Sequence, residues 1–164
     1  RGRKVMVINA MGQIFMRPIN NPFYAIDKVL KSVKLGFGVD LILVDFHAEA
    51  TSEKMAMGHF LDGRASVVVG SHQQVPSADA QILNAGTAYQ SDAGMCGDYD
   101  SVIGMQKEVP IARFLGKISK ERMSPALGEA TVCGVFVETE DATGMASRIA
   151  PLRQGGRISP AWPD

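Results

Sequence analysis

"VDLILVDFHAEATSEKMAMGHFLDGRASVVVGSH", residues 39–72, decides the architecture. Its first part, VDLILVDF (39–46), is a near-continuous apolar run of the kind a strand shows when both faces are covered. ASVVVG (65–70) is a second such run, rich in β-branched residues. Between them Ser52–Leu61 reads as a helix, with Glu53 in its first turn and Gly63 just beyond its end. Upstream, KVMVINAM (4–11) is a third strand, followed by Gly12. NPFYAIDKVLKSVKLG (21–36) is a helix that Asn21 can cap, Pro22 can open and Gly36 can close. Phe23, Ile26, Leu30 and Val33 recur at the spacing of one apolar face. The first seventy residues therefore read β-α-β-α-β, which predicts parallel strands with right-handed crossovers.

The remainder has another character. AQILNAGTAYQSDAGM holds short strand-like pieces broken by NAG and DAG, and KEVPIARFLGKI is helix-like with Pro110 near its start. TVCGVFVETEDATGMASRIAPLR predicts two strands joined by a turn at EDATG. Residues 1–153 are expected to belong to one domain, and 154–164 to be a polar tail lying loosely on the surface. Basic and acidic residues balance at 17 each, so no global field points to a nucleic-acid polymer or an anionic membrane. No apolar stretch reaches membrane-spanning length, and no signal peptide is expected. Cys96 and Cys133 lie far apart and outside any metal-ligand spacing. Cys133 reads as a small buried hydrophobe, and a reducing, cytoplasmic setting is expected.

Two of the three histidines, His47 and His72, stand just past the carboxyl ends of predicted strands. In open α/β sheets ligands gather in the crevice at those ends. One such histidine commonly does no more than satisfy loop backbone. Two on neighbouring strands suggest a site, because imidazole serves both as a metal ligand and as an acid or base. Asp45 and Glu49 flank His47 and could support it from behind. Thr51 and Ser52 read as helix caps, and His59, inside the helix, reads as a surface residue. No G-x-S-x-G elbow supports a serine nucleophile, and neither GEATVCG nor GQIFMRP ends as a phosphate-binding loop must.

VINAMGQIFM, NPFYAIDKVL, VDFHAEATSEKMAMGHFLDGRASVVVGSH, VPSADAQIL, GTAY and DYDSVIGM, in this order, resemble one bacterial branch of the calcineurin-like metallophosphoesterases. That branch includes the 2′,3′-cyclic-nucleotide 2′-phosphodiesterases. The resemblance runs from Lys4 to about Arg153 and implies an α/β fold. It corresponds to the C-terminal half of a four-layer α/β/β/α sandwich, with two divalent metals, iron or manganese, at the strand ends. By resemblance His47 matches the histidine ligand of VDFHAE, and His72 the first histidine of an H-x-H pair. The second falls on Gln74.

On an extended segment, residues i and i+2 share a face, so Gln74 would point into the crevice and Gln73 away from it. A glutamine oxygen is a poorer donor than imidazole to such metals, which weakens one metal position. The family's remaining ligands and its leaving-group histidine come from an amino-terminal half that this chain does not resemble. RGRKVMVINAMG has no initiator methionine and runs almost directly into a strand, which reads as a cut in a longer protein. One metal or none is therefore expected in this chain, with no catalytic residue of its own and no significant turnover alone. The complete protein would take a nucleotide phosphoester. The exposed face of a half-sandwich predicts a homo-oligomer, or pairing with the missing half. The alternative is a degenerate, non-catalytic relative serving as a binding or assembly module.

Overall fold

The computed structural model describes residues 2–16, 20–117 and 120–163. Parts of four sequence readings, at Arg1, Arg17–Pro18, Ile118 and Asp164, lie outside that range. The fully flanked strand β4 (Leu41–His47) is preceded in sequence by β1 (Val5–Met11), α1 (Pro22–Leu30), β2 (Lys34–Leu35) and β3 (Gly38–Val39). Helix α2 (Thr51–Phe60) and strands β5 (Val67–Ser71), β6 (Gln81–Ile82) and β7 (Ala88–Gln90) follow it. β1, β4, β5 and β7 are parallel neighbours, and β6 closes the sheet antiparallel to β7, in the order β1-β4-β5-β7-β6.

The burial alternation of β4 explains its apolar sequence. Ile42, Val44 and Phe46 are fully buried, under Ile26 and Leu30 of α1 and Met57 of α2. Phe23 stands edge-on to Phe46 at 6.3 Å and to Phe60 at 5.4 Å, locking both helices to one face. Leu41 and Leu43 point to the opposite face. There a second, antiparallel sheet of β8 (Gly97–Asp98), β9 (Ala130–Thr139) and β10 (Ala146–Gln154) covers part of the first. Val67 and Ala88 pack on Ala146, Val137 and Ile149. Beside them a cavity of about 310 Å³ remains between Leu41, Leu43, Val67, Val69, Val135 and Val137. Val5 and Val7, on the same face of β1, are 56% and 62% exposed. The fold is mixed α/β, with both long helices on one side of a largely parallel sheet.

Several boundaries move. α1 ends at Leu30 rather than running to Gly36, because Lys34–Leu35 pairs with Gly38–Val39 and Gly36 takes the intervening turn at φ +75°. The Asn21 cap is in place, accepting from the N–H groups of Phe23 (2.9 Å) and Tyr24 (3.4 Å). α2 starts at Thr51 on an Ala50 cap with no side-chain cap bond, so Thr51 and Ser52 do not cap it. Helix α3 (Glu108–Phe114) carries Pro110 near its start, as read. The tail is tethered rather than loose, since Ala161 exchanges two backbone hydrogen bonds with Arg153, of 2.7 and 3.0 Å. Among the described residues no helix is long and apolar enough to cross a membrane.

Candidate functional site

Parallel pairing puts the ends of β1, β4 and β5 side by side. Asn9 stands opposite Asp45, and His47 opposite Ser71. These residues join into one chain of contacts. Asn9 Nδ2 donates to Asp45 Oδ2 at 2.7 Å, and Ser71 Oγ donates to Asp45 Oδ1 at 3.2 Å. His47 Nδ1 lies 3.0 Å from Ser71 Oγ, and His47 Nε2 lies 3.1 Å from His72 Nδ1. Glu49 contacts His72 Nε2 from the other side of the ring.

The donors fix the protons. Ser71 gives its hydroxyl proton to Asp45, so its oxygen accepts from His47 Nδ1–H, and His47 Nε2 carries a lone pair. The Glu49 carboxylate accepts from His72 Nε2–H, so a neutral His72 also presents a lone pair at Nδ1. Two lone pairs 3.1 Å apart repel unless something positive lies between them. A proton would make His72 a cation. A metal ion would use both nitrogens, since bonds of ~2.1 Å place adjacent donors about 3.0 Å apart at octahedral angles and about 3.4 Å apart at tetrahedral ones. Each ring is backed by a carboxylate, Glu49 directly and Asp45 through Ser71, the arrangement that sets tautomer and orientation in metal sites. The donor set fits a metal corner. Among the described residues no group of three or more His, Cys, Asp or Glu side chains gathers to complete one.

His72 does not sit on an extended segment. β5 ends at Ser71, and the chain turns with φ +125° at His72 and +62° at Gln74. Such backbone costs on the order of 1–3 kcal/mol per residue and persists only where its surroundings impose it. The i, i+2 argument for Gln74 therefore loses its premise. Gln74 is exposed, and its carbonyl accepts the Tyr99 hydroxyl at 3.3 Å. Gln73 turns back toward the protein, where its Nε2 donates to the Glu49 carbonyl at 2.7 Å.

The DYDSVIGM segment gains a structural role from these contacts. Burial, then the hydrogen bond to Cys133, push the Tyr99 phenol up to about 12, so it stays a neutral donor to Gln74 and to Met95. Asp98 accepts from the N–H groups of Asp100 and Gly128, bracing loops. Asp100 is held below the usual carboxylate range by its hydrogen bond to Lys107.

The model of the YmdB-like protein family matches residues 1–152. The chain belongs to that family. A 2′,3′-cyclic-nucleotide 2′-phosphodiesterase of Bacillus subtilis is 43% identical over 148 residues, covering 90% of this chain and 55% of that protein. A solved structure of a hypothetical protein from Thermus thermophilus superposes with a TM-score of 0.83 at 42% identity, over 93% of this chain and 58% of the other. A novel phosphatase from Mycoplasma pneumoniae superposes with a TM-score of 0.80 at 35% identity, over 91% and 52%. The YmdB-like chain spans about half the length of the curated relatives it matches.

The structure brings His47, His72, Asp45 and Glu49 together at one strand-end crevice. His59 is exposed on α2, apart from that network. Sequence reading missed Asn9 and Ser71. Both become visible once β1, β4 and β5 are aligned by register, since Asn9–Asp45 and His47–Ser71 are register pairs. It also read Glu53 as a helix-end charge, whereas its buried carboxylate accepts the Gln13 and Ile14 N–H groups at 2.9 and 3.2 Å.

Proposed function

We propose that this YmdB-like chain supplies the His47–His72 corner of a divalent-metal phosphodiesterase site acting on 2′,3′-cyclic nucleotides. The observation that carries the reading is the pair of ring nitrogens facing each other at 3.1 Å, each ring oriented by a carboxylate. The Bacillus subtilis relative supports the substrate class. In this reading the chain is the C-terminal part of a four-layer sandwich, the metals are iron or manganese, and Gln74 is at best a weak ligand. Turnover then needs a further segment, and the uncovered face around Val5 and Val7 favours association with that segment or with another copy.

The residues have separable tasks. Ser71, held by Asp45, keeps the His47 proton on Nδ1 and leaves Nε2 free to bind. Glu49 does the same for His72, keeping the proton on Nε2 and Nδ1 open. His47 Nε2 and His72 Nδ1 would hold a divalent ion, which when bound would supply positive charge for phosphate oxygens and the acidity a water nucleophile needs at neutral pH. A second reading, a non-catalytic binding module, is favoured by the exposure of Gln74 where the family pattern has histidine.

Hydrolysis of 2′,3′-cyclic AMP with added Mn²⁺ separates the two. The chain alone is expected to be nearly inactive, and a version extended to the length of its relatives active and EDTA-sensitive. His47→Ala in the longer version is expected to lower kcat/KM at least about 100-fold, the scale on which loss of site electrostatics acts. Turnover indifferent to both EDTA and His47→Ala would sink the reading, and no turnover in the longer version would favour the binding module.

A further inference from the structure

α2 carries a lysine where the apolar core would be expected. Lys54 is 1% exposed, and its Nζ lies 3.2 Å from Asp92 Oδ2, itself 5% exposed. Burying both charges is no economical way to stabilise a fold, because well-packed apolar residues commonly do as well. The pair's other contacts show what it holds. Asp92 Oδ2 also accepts the Gln73 N–H at 2.9 Å, and Asp92 Oδ1 accepts Gly94 N–H at 2.9 Å. Lys54 Nζ donates to Gln73 Oε1, and Gln73 Nε2 donates to the Glu49 carbonyl at 2.7 Å. Gln73 is thus gripped at its backbone and at both ends of its amide. It is the residue between the two left-handed positions, His72 and Gln74. Through Gln73 the network also reaches the backbone of Glu49, whose carboxylate meets His72.

We propose that Lys54 and Asp92, acting through Gln73, are positioning residues that hold the strained turn and so fix the His72 ring against His47. Neither Lys54 nor Asp92 contacts the two imidazoles. Their effect is on where Nδ1 of His72 points. The proposal rests on the reading of His47 and His72 as the site, and it also makes a claim about ring geometry that needs no metal.

The test uses the 164-residue chain, ¹⁵N-labelled, in three forms: wild type, Lys54→Met and Gln73→Ala. Gln73→Ala leaves the charge pair intact, so it decides the matter should Lys54→Met fail to fold. Long-range ¹H–¹⁵N spectra of the histidine rings report tautomer and environment. The expected result is a His72 signature displaced toward the averaged two-tautomer position in both variants, with His59 unmoved and a cooperative melt retained by Gln73→Ala. A merely structural pair would lower the melting temperature and leave that signature in place. Mn²⁺ titration, read as broadening of the His47 and His72 resonances, is expected to show affinity roughly 10-fold or more weaker in the variants, as for other groups supporting a ligand from behind. A His72 signature in Gln73→Ala identical to wild type overturns the proposal. Failure of Mn²⁺ to broaden even the wild-type rings overturns the metal reading instead, and the ring spectra still judge the clamp.

Discussion

Gly70→Ala is expected to be among the most damaging single-methyl additions this fold can receive. Gly70 lies on the helix-facing side of β5, opposite Phe46, and its carbonyl accepts the Ala93 N–H at 3.0 Å. A Cβ there would sit 1.9 Å from the Ser91 carbonyl oxygen and 2.7 Å from Lys54 Cδ. Because the nearer atom is backbone, relief requires the Ser91 segment to withdraw by about an ångström, against the bond that ties Ala93 to Gly70. Overpacking costs ~1–3 kcal/mol where side chains can move, so a clash with backbone belongs at or above ~3 kcal/mol. At roughly 2–4 °C per kcal/mol for a chain of this size, the melting midpoint should drop by roughly 6–12 °C. Gly134→Ala is the control, since no atom lies within 4 Å of its added Cβ. It should be neutral or gain about 0.5 kcal/mol from the stiffer unfolded chain. Parallel thermal melts followed by circular dichroism decide it. A fall below about 2 °C in Gly70→Ala, or an equal fall in Gly134→Ala, would refute the close-approach reasoning.

Three further outcomes are expected. Tyr89 is buried with its hydroxyl unpartnered among the described residues, and burial raises its pKa. Tyr89→Phe should therefore stabilise by ~1 kcal/mol in urea melts at neutral pH. Because a raised phenol pKa means stability present below the unfolded value of ~10 and lost as pH climbs above it, the variant should also resist alkaline unfolding better than wild type. Thr87 Oγ1 is fully buried, donates to the Ala65 carbonyl at 2.7 Å and accepts the Gly63 N–H at 2.9 Å. Thr87→Val keeps the shape but orphans both groups, and should cost ~2–3 kcal/mol by the same melts. Asp27 is held below the usual carboxylate range by hydrogen bonds from Lys31 and then Arg64. Its contribution is present above the unfolded carboxylate pKa and lost as pH falls through the lower folded value, so Asp27→Asn should flatten the acid limb of the stability–pH curve below about pH 4.

The parallel core was legible because its signal is local. Apolar runs at 4–11, 39–46 and 65–70, with a well-punctuated helix after the first, leave few topologies open, and β1, β4 and β5 form as read. The paired histidines were legible for the same reason, since each closes a run. What escaped depended on backbone dihedrals or on partners far along the chain. Nothing in GSHQQV announces φ +125° at a histidine, and the alternation rule fails once the strand stops at Ser71. Lys54 looks like a surface residue of a polar helix until Asp92, thirty-eight positions on, is folded against it. Gly36 looked like a helix stop because a glycine after an apolar stripe is the commonest such signal, and a two-residue strand pair is too short to leave one.

β1 gives the five-stranded sheet an open flank. Val5–Met11 is bonded to β4 on one side, and among the described residues no strand adjoins the other. The N–H and C=O groups that face outward there have no strand partner among the described residues and in the chain alone would turn to water, beside two largely exposed valines. Solvent activity thus becomes a determinant of colloidal behaviour, separately from folding. Salting-out ions that withdraw water from such a rim should drive chains together through it while each remains native, whereas low urea should disperse them before it unfolds any. Storage conditions for this protein are accordingly a matter of keeping one strand wet.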